Sequence, residues 1–260
     1  MSKKTLTVLA VSLALGLGLN VSSALAKNST VQDIPDVNGT YDVPGHPNLK
    51  VRVFVHNPKP QNAKNQLGTC SLTDPNEGPQ VDPAGWHLPS SWNYYLNTSS
   101  APLGAVRTNL TNYSGQAFSK WADAIGSNKV TFSLKGYTTI AKKAYDGKNI
   151  IAWGTAPGTA LAVTYTWYYT QSKEAVETDT IMNKKFSWSW MPYSLTNCPS
   201  LQSYDAQDIL THELGHWVGL DDEYNTSYAY NTMYGYGAKG EIIKDTLTTG
   251  DSTGAYNIYK

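Results

Sequence analysis

The sequence predicts an α+β fold in which helices pack against one sheet. Period-two apolar alternation recurs in successive segments between Lys129 and Trp190. Helical periodicity brackets that run, once before it and twice after it, so strands and helices are segregated along the chain. Composition agrees. Only 15% of residues are charged while there are 18 Tyr and 8 Trp, which suits a β-rich extracellular core and excludes a disordered chain.

The elements follow in order. "MSKK", the uncharged run "TLTVLAVSLALGLGLNV" and the small residues of "SSALA" form a signal-peptide pattern, with cleavage expected after Ala26. The run is short for a membrane span and has no basic stop-transfer flank, and no later segment is apolar enough to cross a bilayer. The mature protein is therefore expected to be secreted, with no membrane partner. Residues 27–48 are polar, rich in Pro and Gly and without apolar period, and read as a tail or pro-segment remnant. "LKVRVFV" (49–55) alternates as a strand that "HNPKPQNAKNQLG" breaks. The domain plan is thus a signal peptide over 1–26, an N-terminal extension or pro-segment over 27–85, and a main domain over 86–260.

Within the main domain "WNYYLN" is strand-like. Ala117, Trp121, Ala124 and Ile125 lie on one face of a helix over 112–126 that stops at glycine. "KVTFSLKGY", "GKNIIAWGT", "TALAVTYTWYY" and "EAVETDTIMNKKFSWSW" are the run of strands. "SYDAQDILTHELGHWVG" returns to a helical pattern that Ser203 or Asp205 can cap. "LTTGDSTGAYNIYK" closes the chain as a short helix.

Charge and cysteine content exclude some partners. Lys+Arg and Asp+Glu both number 20, so neither nucleic acid nor a membrane surface is expected to bind. In an exported chain the two cysteines, Cys70 and Cys198, are a candidate disulfide. The alternative is a Cys70 thiolate that caps a metal in a latent form.

That metal is suggested by "ILTHELGHWVGLDDEYN", Ile209 to Asn225. Residues four apart share a helix face, so His212 and His216 aim two imidazoles at one spot, a pairing that suits tetrahedral zinc. Glu213 sits one position round from His212, within reach of a water that such a metal would hold, and can act as its base. Gly219 can take a left-handed conformation and turn the chain back. Asp222, ten residues after His212, then supplies a carboxylate oxygen, with Asp221 and Glu223 as competitors. His46, His56 and His87 all lie upstream. Long-range ligation by one of them stays open, although local geometry favours Asp222. Glu177 and Asp179 could hold calcium through oxygen ligands, or be solvated edge residues.

"HELGHWVGLDD" resembles the elongated zinc signature of metzincin endopeptidases, with aspartate in place of their third histidine, as in the similar snapalysin-type bacterial secreted proteases. "YNTMYGYG" resembles their methionine turn, which makes Met233 an apolar floor under the ligands. "AYDGKNIIAWG" and "ETDTIMNKKFSW" are similar to the third and fifth strands of matrixin-like domains, and "LTTGDSTGAYNIY" to their last helix. The resemblance covers roughly Trp86 to Lys260. It implies a twisted mixed five-stranded sheet, a long helix behind it, an active-site helix and a C-terminal helix. Neither Tyr234 nor Tyr236 stands two residues after Met233, where some metzincins place a zinc-contacting tyrosine, so packing is their expected role. Cys70 with Asp74 weakly resembles the matrixin latency segment.

The expectation is a monomeric secreted zinc endopeptidase with one catalytic zinc ion, acting on a protein or peptide substrate laid beside "TALAVTYTWYY" as an added strand. The alternatives are a non-catalytic extracellular binding module with a structural zinc, and a zinc hydrolase acting on cell-wall amides.

Overall fold

A computed structural model of the chain describes residues 34–60, 78–192 and 201–260. The signal peptide expected over 1–26 and both residues of the candidate disulfide, Cys70 and Cys198, lie outside them. Ten strands and four α-helices are present among the described residues: β1 (Gly39–Val43), β2 (His46–Pro58), β3 (Ser91–Leu96), α1 (Ala105–Thr108), α2 (Leu110–Ile125), β4 (Thr131–Tyr137), β5 (Asn149–Gly154), β6 (Ala162–Tyr169), β7 (Ala175–Asn183), β8 (Trp188–Ser189), β9 (Tyr204–Asp205), α3 (Ala206–Trp217), β10 (Tyr236–Gly237) and α4 (Thr249–Tyr259). The class is α+β, as expected, with a mixed main sheet of eight strands where the resemblance implies five. None of the helices described is long and apolar enough to cross a membrane.

The main sheet runs β1-β2-β6-β7-β5-β3-β4, and β10 pairs with β2. The pairs β7–β5, β5–β3 and β3–β4 are parallel. β6 runs antiparallel to β2 and β7, and β1 antiparallel to β2, whereas β10 pairs with β2 in parallel. Apolar side chains on one face pack beneath α2, α3 and α4 around Leu110, Trp121, Leu214 and Trp217. Trp121 also donates its indole N–H to the Thr211 carbonyl at 2.8 Å, which ties α2 to α3. On the other face Val51, Val53, Val163, Trp167 and Ile181 form a second cluster closed by Ile34 and the segment near Ile140.

Two stretches differ from the reading of the sequence. Residues 39–48 are not a tail. Gly45, at φ +78°, makes the turn of a hairpin in which β1 pairs with β2. β2 is also longer than its apolar run, because β6 supplies a partner: Leu49–His56 pair in reverse with Ala162–Tyr169. The segment 174–190 divides at Asn183, whose side-chain oxygen accepts the Lys185 N–H at 3.0 Å in a local turn that ends β7.

Glu177 and Asp179 lie buried on β7, not at a solvated edge. Their four carboxylate oxygens accept the backbone N–H groups of Asp146, Gly147, Ile150 and Ala144. Burial pushes Glu177 up to about 7. These carboxylates thus hold the loop before β5 in shape.

Candidate metal centre

α3 begins where Asp205 accepts the N–H groups of Gln207 and Asp208, at 2.9 and 3.1 Å. This cap satisfies donors that a helix start leaves open. The helix lies wholly inside the protein, and His212, Glu213 and His216 are 0% exposed. After Trp217 the chain reverses at Gly219, at φ +103°, where an added Cβ would also collide with the Trp86 carbonyl oxygen. Gly219→Ala therefore combines left-handed strain with a backbone clash. An expected stability loss of about 1–3 kcal/mol from the strain alone is readable as a lower urea midpoint.

The reversal brings Asp222 under the helix. Asp222 Oδ1 lies 3.1 Å from His212 Nε2 and 3.5 Å from His216 Nε2. Its neighbours are engaged elsewhere. Asp221 pairs with Arg52 at 3.2 Å, and Glu223 accepts the Asp82 N–H at 3.0 Å. Each imidazole is oriented from behind: His212 Nδ1 lies 2.7 Å from the Thr232 carbonyl and His216 Nδ1 2.9 Å from that of Leu220. A carbonyl only accepts, so both Nδ1 atoms carry the proton and both Nε2 atoms offer lone pairs.

These atoms fit a metal. His212 Nε2, His216 Nε2 and Asp222 Oδ1 are buried with no hydrogen-bond partner, and they converge on one another. Three electron-pair donors cannot share a dry site unless a proton or a cation joins them. A tetrahedral zinc with bonds of about 2.0–2.1 Å places its ligand atoms roughly 3.3–3.4 Å apart, close to the spacing found. Burial lowers His212 to about 4, which keeps it neutral and ready to ligate. Burial also pulls His216 down, but the facing Asp222 and Glu213 carboxylates outweigh it and its net shift is upward. Asp222 is held well below the usual carboxylate range, because the two imidazoles outweigh the opposing effect of burial. The trio thus calls for positive charge at its centre.

Met233 lies below, fully buried, against the helix at Gly215, where an added Cβ would strike its sulfur. Its turn hangs from α4: Asp251 accepts the N–H groups of Thr232 and Met233 at 2.8 and 3.1 Å. Tyr234 and Tyr236 pack edge to face at 5.6 Å, and Tyr236 meets Tyr224 at 5.3 Å, a packing role for both.

Glu213 does not join the trio. Its Oε2 accepts the Thr164 hydroxyl at 2.6 Å, and its Oε1 faces His56 Nδ1 at 3.2 Å. Thr164 has one hydroxyl proton and spends it on Glu213, so Thr180 must donate to Thr164 across 2.6 Å, and the Trp217 indole donates to Thr180 at 2.9 Å. The chain of donors from Trp217 through Thr180 and Thr164 keeps the carboxylate an acceptor. Burial pushes Glu213 upward, against the pull of His212, His216 and Thr164. Thr164→Val removes a donor to the ionised form, so the Glu213 pKa rises further. The Glu213 carboxyl, followed by its infrared C=O stretch, is expected to titrate at higher pH in that variant, while Thr164→Ser leaves it in place.

Of the upstream histidines, His56 comes to this centre. It stands over His212 with ring centroids 3.9 Å apart, and Phe54 stacks on His216 at 3.7 Å. Both belong to β2. Sequence reasoning also missed Thr164, Thr180, Asp251 and Tyr224, whose hydroxyl donates to Asp222 Oδ2 at 3.1 Å. The local signal for Tyr224 was its place two residues after Asp222. For the others no local signal exists.

The fold and centre define an α+β protein with a buried two-histidine, one-aspartate cluster beside a glutamate. No protein-family model matches the chain. No curated protein matches it either.

Proposed function

We propose that this chain is a secreted zinc endopeptidase of the metzincin type, working as a monomer on protein or peptide substrates. The observation that carries the reading is that Asp222 Oδ1 lies 3.1 Å from His212 Nε2 and 3.5 Å from His216 Nε2, next to a glutamate held by Thr164. A resident zinc supplies Lewis acidity, polarising a carbonyl oxygen and acidifying water. Glu213 would take a proton from the attacking water at Oε1, the oxygen that Thr164 leaves free, as the water oxygen bonds to the carbonyl carbon, and would pass that proton to the amine as the C–N bond breaks. Thr232 and Leu220 keep both imidazoles in the ligating tautomer. The mixed sheet with helices packed on it neither favours nor opposes the metzincin resemblance, which rests on the residues from His212 to Asp222 and on Met233.

Burial of both imidazoles, with the Asp222 side chain only 2% exposed, favours a second reading, a non-catalytic module with structural zinc. Structural sites close four positions with protein ligands. Here His212, His216 and Asp222 offer three converging donor atoms; His56, His212 and Glu213 form a second such group, in which Thr164 holds Glu213. Metal analysis of the secreted protein is expected to give equimolar zinc, and its cleavage of casein is expected to stop with a chelator and return with added zinc. Bound zinc with no peptidase activity in any processed form would favour the structural module.

A further inference from the structure

We propose that the cavity between α4 and the turn joining β6 to β7 binds a carboxylate carried on an apolar body, with Lys173 and the Trp86 indole as its donors. The cavity measures about 290 Å³, and Gln80, Pro83, Trp86, Lys173, Asn257 and Ile258 are among the residues that line it. Small-molecule sites span about 300–1,000 Å³, so this one suits a ligand about the size of a single residue. None of these side chains belongs to the histidine cluster, and the inference does not rest on the endopeptidase reading.

The walls divide by chemistry. Pro83, Trp86 and Ile258 supply apolar surface. Trp86 is 2% exposed and stacks on Tyr168 with ring centroids 5.2 Å apart. The backbone on either side of it is fixed: Ala84 donates to the Gly219 carbonyl at 2.7 Å, and His87 to the Lys173 carbonyl at 2.9 Å. The indole N–H of Trp86 is nevertheless buried with no hydrogen-bond partner among the described residues. Trp normally finds an acceptor when buried, because a dry donor left unmade costs free energy. A carboxylate seated in the cavity is such an acceptor.

Charge points the same way. No Asp or Glu lines the cavity, and Lys173 does. Its ammonium takes part in none of the ion pairs found among the described residues. Its backbone is pinned from both sides, donating to the Tyr169 carbonyl at 3.0 Å and accepting from His87. At φ +60° it is also the one non-glycine residue described in the left-handed region, a conformation that surrounding structure must hold in place. The amide oxygens at the rim already receive donors: Asn257 donates to Gln80 Oε1 at 3.1 Å and accepts from Lys260 at 3.2 Å. What the cavity offers a ligand is therefore donors and a cation above an apolar floor, the complement of a carboxylate with an apolar tail. Two sources carry that chemistry, the C-terminus of a peptide and a free arylalkanoic acid.

The test titrates the secreted protein with hydrocinnamate, N-acetylphenylalanine and, as the uncharged control, hydrocinnamide. Excess acetohydroxamate is present throughout, so that a metal at the histidine cluster is occupied and cannot take the carboxylates. Binding is followed by calorimetry and by the Trp86 indole N–H resonance, one of eight, identified by its loss in Trp86→Phe. Both acids are expected to shift that resonance and to bind at least about tenfold more tightly than the amide, the margin of a charge-assisted hydrogen bond. Lys173→Gln, a surface change that keeps a side chain in the left-handed turn, is expected to remove the margin and leave the amide's affinity unchanged. Calorimetry on Lys173→Gln makes this comparison even if Trp86→Phe fails to fold. Tighter binding of N-acetylphenylalanine than of hydrocinnamate identifies a peptide C-terminus as the source, and the reverse order a free acid. Equal affinities for acid and amide, or wild-type affinity for the acids in Lys173→Gln, overturn the anion site. No binding of either acid at about 10 mM overturns the cavity as a site of any kind for this chemistry.

Discussion

On the proposed endopeptidase reading, Glu213→Gln is expected to lose about 10²- to 10⁴-fold in kcat/KM for casein, the usual share of a general base. Zinc content is expected to stay equimolar, because His212, His216 and Asp222 form a donor group that does not include Glu213. The amide keeps the shape of the carboxylate, and its oxygen can still accept the Thr164 hydroxyl that now lies 2.6 Å from Oε2. It cannot accept a proton from water. Metal analysis and casein kinetics on the same preparation check the point. A variant that cleaves at the wild-type rate would place the base elsewhere.

Asp251→Ala is expected to be the most damaging change outside the cluster. The buried carboxylate accepts from Thr248 N and Oγ1 at 2.9 and 2.8 Å, besides Thr232 N and Met233 N. Truncation strands these donors in a dry place, at a cost of about 3–5 kcal/mol if the loss resembles that of a buried charge partner. For a domain of this size a lower Tm by roughly 10 °C follows. The effect should reach the metal. The Thr232 carbonyl that orients His212 sits in the turn Asp251 holds, and loss of such an orienting partner lowers metal affinity by about 10- to 100-fold. Thermal melts and a zinc competition titration read the two effects separately. A Tm within a degree or two of wild type would show that the Met233 turn holds itself.

Much of this centre is legible in the order of residues alone, and the reason is distance along the chain. His212, Glu213 and His216 are related by one helical turn, which local hydrogen bonds fix. Asp205 caps that helix from the adjacent residue. Gly219 supplies a backbone reversal open to few other residues, and Asp222 follows within three positions. Alternation found β3, β4 and β6 for the same reason, since the pleat repeats every second residue.

The occupants of the space around that segment were hidden. His56 meets Glu213 across 157 positions, and Thr164 meets it across 49. No periodicity in "HNPKP" or "AVTYTWYY" signals either meeting. Polar residues 39–48 read as a tail because their side chains bury little, yet the hairpin gains its place through backbone pairing, which carries no residue signature. Local spacing therefore brings three ligand atoms and a base to one helix and its following turn. Which strand lies over them, and which side chains it lowers onto the imidazoles, follows from sheet register and packing between distant segments, and those energies exist only once the chain has folded.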